Sequence, residues 1–135
     1  MNQLVSLRSG NAKNNDLEDR TASFGEKTIK FCRTLRKDFI LTPLVSQLVR
    51  SATSVGANYM EARGASSRKD FRNKIFICKK EAQETKHWFR MLAADVEERK
   101  TELRELWQEA HELNLIFQKI TTTLDKNDLK EKLNN

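Results

Sequence analysis

Val96–Leu103 reads VEERKTEL, and these residues decide whether the chain is a rod or a bundle. On the N-terminal side, Phe71, Ile75, Cys78, Ala82, Thr85, Phe89, Leu92 and Val96 recur at alternating spacings of three and four. On the C-terminal side, Leu103, Leu106, Ala110, Leu113, Phe117, Ile120 and Leu124 do the same. That spacing puts one apolar seam on a helix. The seam stays in phase across the stretch, with Arg99 at the intervening core position, and the stretch holds no glycine or proline. A single helix from Ser67 to Leu124 would be about 85 Å long at the α-helical rise, too long for one compact domain. A guanidinium in a core seam is costly, and Thr101 is a residue type that caps helices. A break near Arg99–Thr101 is therefore expected.

Two further seams lie upstream: Leu17, Thr21, Phe24, Thr28, Phe31 and Leu35, then Leu41, Val45, Leu48, Ala52, Val55, Tyr59 and Ala62. No run alternates as a strand would. Asn15 with Glu18 predicts the first helix start, and Thr42-Pro43 the second. Gly64 is expected to close the second helix in the left-handed conformation, and Ser67 with Asp70 has capping-box spacing for the third. Short links between amphipathic helices give antiparallel neighbours. The expected fold is all-α: an antiparallel up-down four-helix bundle over residues 15–124, with a mobile N-terminal tail (1–14) and a frayed C-terminal tail (125–135). Ala52 and Gly56, one turn apart, predict a close helix approach, because a mid-helix glycine costs about 1 kcal/mol relative to alanine.

The 135 residues suit one domain, and one proline, four glycines and 33% charged residues favour helices. No apolar run reaches the roughly 20 residues of a membrane span. Neither a signal peptide nor a membrane partner is expected. Cys32 and Cys78 fall at core spacing, as in a reduced cytoplasmic protein.

A second stripe on the third helix, Ile77, Glu81, Glu84, Trp88 and Met91, turns away from the first seam. Two apolar faces predict two sets of neighbours, the second being other copies of the chain. If the second and third helices pair across Gly64, residue numbers summing to about 133 lie opposite one another. Asn58, Glu61, Lys74 and Glu81 then come together as a polar network that could fix oligomer geometry.

Together, the segments SATSVGANYMEA (51–62), SSRKDFRNKIFICKKEAQETKHWFRML (66–92) and ELNLIFQKI (112–120) resemble the bacterial four-helix-bundle family that includes the large-subunit rRNA intervening-sequence proteins. The architecture is similar to that of the accessory variability proteins of diversity-generating retroelements. The resemblance implies a homopentameric ring with no enzymatic activity and no cofactor, and a possible reverse-transcriptase partner.

The sequence offers few groupings that could carry chemistry. Glu84-x-x-His87 has di-iron bundle spacing, but helix four offers only Gln108-x-x-His111 in return, so no metal is expected. No spacing links a histidine to Cys78, and no glycine-rich phosphate loop follows a strand. Charge is the better lead. From Arg63 to Lys80 the chain carries Arg63, Arg68, Lys69, Arg72, Lys74, Lys79 and Lys80 against Asp70, a balance matching the net +6 of the whole chain. Arg63, Arg68, Lys69, Arg72, Lys79 and Lys80 are the expected contacts to RNA or DNA phosphates, made without base readout. No aromatic-and-basic grouping of a single-strand platform accompanies them in sequence. Asn58, Glu61, Lys74, Ile77, Glu81, Glu84 and Trp88 are the expected oligomer interface or polar network. The rival expectation is an adaptor ring that docks a protein such as a reverse transcriptase.

Overall fold

A computed structural model describes residues 16–135, and every long element in them is helical. Helix α1 spans Asp16–Arg33, α2 Leu41–Arg63, α3 Arg68–Ala93 and α4 Lys100–Asn134, with one 3-10 turn at Glu97–Arg99. Asn15 and the expected 1–14 tail lie outside the described residues. The helices run up and down in sequence order. α2 and α3 make the most extensive contact, α3 with α4 and α1 with α2 follow, and α1 and α4 meet most loosely.

The seams became the core. Phe24, Leu41, Leu48, Val55, Ile75, Phe89, Leu92, Leu113 and Phe117 are all buried. Each fully buried side chain of this size contributes about 1.5–3 kcal/mol. Phe24 meets Phe89 edge-on, with ring centroids 6.2 Å apart, tying α1 to α3 across the bundle. The buried hydroxyls are satisfied locally: Thr28 donates to the Phe24 carbonyl at 2.9 Å, and Thr85 Oγ1 lies 2.7 Å from the Glu81 carbonyl and 2.9 Å from Ser51 Oγ. The close approach expected at Gly56 is made to α1. A Cβ there would stand 3.4 Å from Thr21 Oγ1 and 3.5 Å from the Thr21 carbonyl carbon.

The bundle reading of VEERKTEL holds, with the break beginning earlier than expected. α3 ends at Ala93, and buried Val96 leaves the helical conformation (φ −119°, ψ 63°) to plug the end of the core. Arg99 escapes burial by lying over the Phe31 ring at 4.8 Å. There it donates to Thr34 Oγ1 at 2.8 Å and to both carboxylate oxygens of Glu102 at 2.6 and 2.7 Å. Thr101 caps nothing; the residue before α4 is Arg99, and no side chain caps that end.

Three local expectations need correction. Gly64 is not left-handed: its φ is −96° and its N–H closes a tight turn onto the Glu61 carbonyl. Thr42 is not the cap of α2, because the helix begins at Leu41, before it. Asp38 does that work, its Oδ1 accepting from the backbone N–H of Leu41 at 2.8 Å and of Ile40 at 3.0 Å. The bundle does not stop at residue 124 as expected: α4 continues as helix through the expected tail to Asn134, with no glycine or proline to stop it. Asp125 and Asp128 anchor it by accepting from Arg72 and Arg68 at 2.8 and 2.9 Å.

The hydrogen bond from Leu41 N–H, with further help from Arg36, holds the Asp38 carboxyl below the ordinary carboxylate range. A depressed folded value means the cap stabilises fully above the ordinary pKa and is lost as pH falls through the folded one. Asp38→Ala should lower the melting midpoint by a few degrees at pH 7 and by much less near pH 2, read by circular dichroism at both pH values. An equal loss at both would show that the carboxylate charge is not what caps α2.

Candidate nucleic-acid interface

α3 presents its outer face to solvent along its whole length. Lys69, Asn73, Phe76, Lys80, Gln83, His87 and Arg90 recur every three or four residues and are all exposed. No carboxylate falls in that stripe, because Asp70, Glu81 and Glu84 point along other faces. Ser67 sets the start of the helix by accepting from Asp70 N–H at 3.1 Å. The Asp70 carboxylate accepts from Ser66 N–H, at 3.3 Å, where a capping box would have it accept from Ser67 N–H. The expected box is therefore displaced by one residue.

The six cations expected to meet phosphate divide into two groups. Arg63 is paired with Glu18 at 2.8 Å, Arg68 with Asp128 at 2.9 Å and Arg72 with Asp125 at 2.8 Å. Their charge is already balanced within the chain. Among the described residues, Lys69 and Lys80 have no ion pair, and Lys79 stands over the Phe76 ring at 5.0 Å. Lys79, Lys80, Gln83, Glu84 and His87 of α3, with Asn114 and Gln118 of α4, line an open groove of about 570 Å³, so one carboxylate, already held by Arg50, borders it. Asn114 locks the two helices together there by donating to the Lys79 carbonyl at 2.9 Å.

The second set of candidates lies along the α2–α3 edge. The α2–α3 register agrees with the expected antiparallel pairing: Cys78 Sγ lies 3.5 Å from the Val55 carbonyl, and Lys74 Nζ donates to Glu61 at 2.7 Å. The expected single network is instead two clusters. Lys74–Glu61 is one. The other is built on Arg50, which reaches Glu81 at 3.2 Å and also pairs with Glu84; Glu84 in turn accepts from Trp88 Nε1 at 3.1 Å. Asn58 joins neither and donates to the Ser54 carbonyl one turn back. Ile77 is half-buried on the same edge. Trp88 is also half-buried and packs against its own core, so this residue of the second stripe belongs to an intramolecular face. Arg50 was missed although the register rule would have placed it opposite Gln83, between Glu81 and Glu84.

A family model described as 23S rRNA-intervening sequence protein matches residues 13–114. The chain belongs to this family. A solved structure of a protein of unknown function from the S23 ribosomal protein family of Bacteroides thetaiotaomicron is similar, with 30% identity and a TM-score of 0.70. The alignment covers 77% of this chain and 96% of that one. A search of curated proteins gives no match. The family match ends at residue 114, part-way along α4, so the Asp125 and Asp128 anchors lie beyond it.

Both cysteines and Glu84 are engaged within the fold. Burial pushes the Cys78 thiol up to about 12 and the Cys32 thiol up to about 11, so both stay protonated at neutral pH. Glu84 is held by Arg50 and Trp88, and His87 points outward. No group of three or more metal-ligating side chains forms among the described residues. No helix in them is long and apolar enough to cross a membrane.

Proposed function

We propose that this protein is a non-enzymatic, oligomeric bundle that binds RNA or DNA through the outer face of α3. The observation that carries the reading is the acid-free stripe from Lys69 to Arg90, exposed on every turn of a 26-residue helix. Phosphates need no more than such a row of cations and polar donors. The unpaired lysines, Lys69 and Lys80, are the principal contacts. Arg63, Arg68 and Arg72 contribute less because each already holds a carboxylate.

Self-association into the pentameric ring implied by the family resemblance is supported by a separate surface. Between α1 and α2, Ala22, Gly25, Ile29, Thr53, Ala57 and Met60 line a shallow, mainly apolar groove of about 320 Å³, edged by Glu18 and Glu26. Met60 is 59% exposed there. Small residues beside exposed apolar ones suit a helix from a second copy. A ring would repeat a weak phosphate surface several times and raise its avidity.

The test is Lys69→Glu with Lys80→Glu, which breaks no ion pair. Binding to a labelled single-stranded oligonucleotide should weaken at least tenfold in 50 mM salt, with the sedimentation coefficient unchanged, and wild-type binding should fall steeply as salt rises. Binding that ignores both the substitutions and salt would favour the adaptor reading, in which a protein partner is the ligand.

A further inference from the structure

We propose that the pocket between the C-terminal half of α3 and the start of α4 is a nucleotide subsite for single-stranded nucleic acid. Its apolar wall would take a base, and Arg90, Lys100 and Arg104 the flanking phosphates. The proposal rests on the nucleic-acid reading above and assigns it a second, chemically distinct site.

The pocket has a volume of about 370 Å³ and is lined by Phe89, Ala93, Leu103 and Trp107 together with those three cations. That volume falls in the range of small-ligand sites, about 300–1,000 Å³. Arg90, Lys100 and Arg104 are exposed and have no ion pair among the described residues. The carboxylates that could have neutralised them are drawn elsewhere. Arg36 holds Asp95 at 2.8 Å and Glu98 at 3.7 Å, and Arg99 holds Glu102. Glu97 is the one acidic side chain of this turn without an ion pair among the described residues.

Trp107 is fixed before any ligand arrives. Its ring stacks on His111 with centroids 5.1 Å apart and planes 14° from parallel. Lys86 Nζ stands 4.9 Å from the indole and 3.0 Å from His111 Nδ1. Together they make a half-buried aromatic wall with a fourth cation beside it. An aromatic wall ringed by unpaired cations is the combination that single-strand sites use, the ring stacking on a base face that a duplex hides. A carboxylate-bearing peptide would satisfy the cations and leave the indole without a flat partner. Along both helices this pocket follows the Lys79–Gln118 groove, with the Lys86–His111 contact between them, so one strand could lie over both.

The experiment uses the full chain carrying Trp88→Phe, which leaves Trp107 as its one indole. Oligo(U) should quench the indole, and the quench should saturate with the binding curve read by anisotropy. Lys100→Glu with Arg104→Glu, both exposed and outside the α3 stripe, should weaken oligo(U) about tenfold or more and abolish the quench. Trp107→Phe, which keeps a ring, should bind better than Trp107→Ala. If Lys100→Glu with Arg104→Glu binds within twofold of wild type while Lys69→Glu with Lys80→Glu does not, the pocket proposal is overturned and the α3 reading survives. Failure of the parent protein to bind oligo(U) at all would sink both. Competition by a duplex or by polyglutamate at the concentration where oligo(U) competes would also overturn the single-strand assignment.

Discussion

Phe89→Ala is expected to cost about 3 kcal/mol, the lower end of the 3–5 kcal/mol range for deleting a buried aromatic ring. Phe89 is 1% exposed and meets Phe24 edge-on, so its loss removes both the α3 contribution to the core centre and the aromatic tie to α1. The cost stays near the lower end because Phe89 also forms a wall of the pocket between α3 and α4. The vacated space opens toward water and is not sealed as a dry void. Urea denaturation followed by circular dichroism should show a lower midpoint with an unchanged slope. Phe89→Leu, which keeps much of the volume, should lose less. A Phe89→Ala midpoint within error of wild type would mean that the core does not close around this ring.

Gly56→Leu should have an effect of similar size, about 3 kcal/mol, at the upper end of the range for overpacking. A leucine branch would have to enter space bounded by the Thr21 side chain and the Thr21 carbonyl carbon, and a backbone atom in a helix cannot rotate away. α1 would therefore move as a body. Because α1 meets α4 only loosely, with Arg20 to Glu109 at 2.7 Å among its contacts, its hold on the bundle rests on α2 and on the Phe24–Phe89 contact with α3. Gly56→Ala is the opposing control. Its Cβ would sit at 3.4 Å from Thr21 Oγ1, close to ordinary contact, while helix propensity improves by up to about 1 kcal/mol. Denaturation midpoints should therefore diverge in sign between the two variants. Equal losses would show that any side chain at this position is excluded.

The core was legible because periodicity reports burial directly. Ile75, Cys78, Ala82, Phe89 and Leu92 were readable as one seam, and all are buried. The helix ends were less legible, because caps depend on side chains that compete for the same N–H groups. Asp38 lies three residues before Leu41, and Thr42-Pro43 is a stronger signal on paper. Gly64 was misread for a related reason: a tight turn onto Glu61 closes α2 without any left-handed residue. The charged surface was legible in amount and not in availability. Composition counts Arg68 and Arg72 as basic, but their partners, Asp125 and Asp128, are more than 50 residues away. The Trp107 cluster was invisible for the same reason. Lys86 and His111 meet only when α3 and α4 fold back on one another at Val96, and no spacing within one helix encodes that.

The α4 extension has a thermodynamic consequence. With Asp125 and Asp128 seated on Arg72 and Arg68, the chain supplies its own counterions to two of its cations. A phosphate arriving at either arginine would displace a tethered carboxylate and liberate no mobile salt ion. The entropy of ion release that ordinarily drives polyanion binding is then missing at those two positions. The slope of log affinity against log salt should count the cations without an ion pair and leave out Arg68 and Arg72.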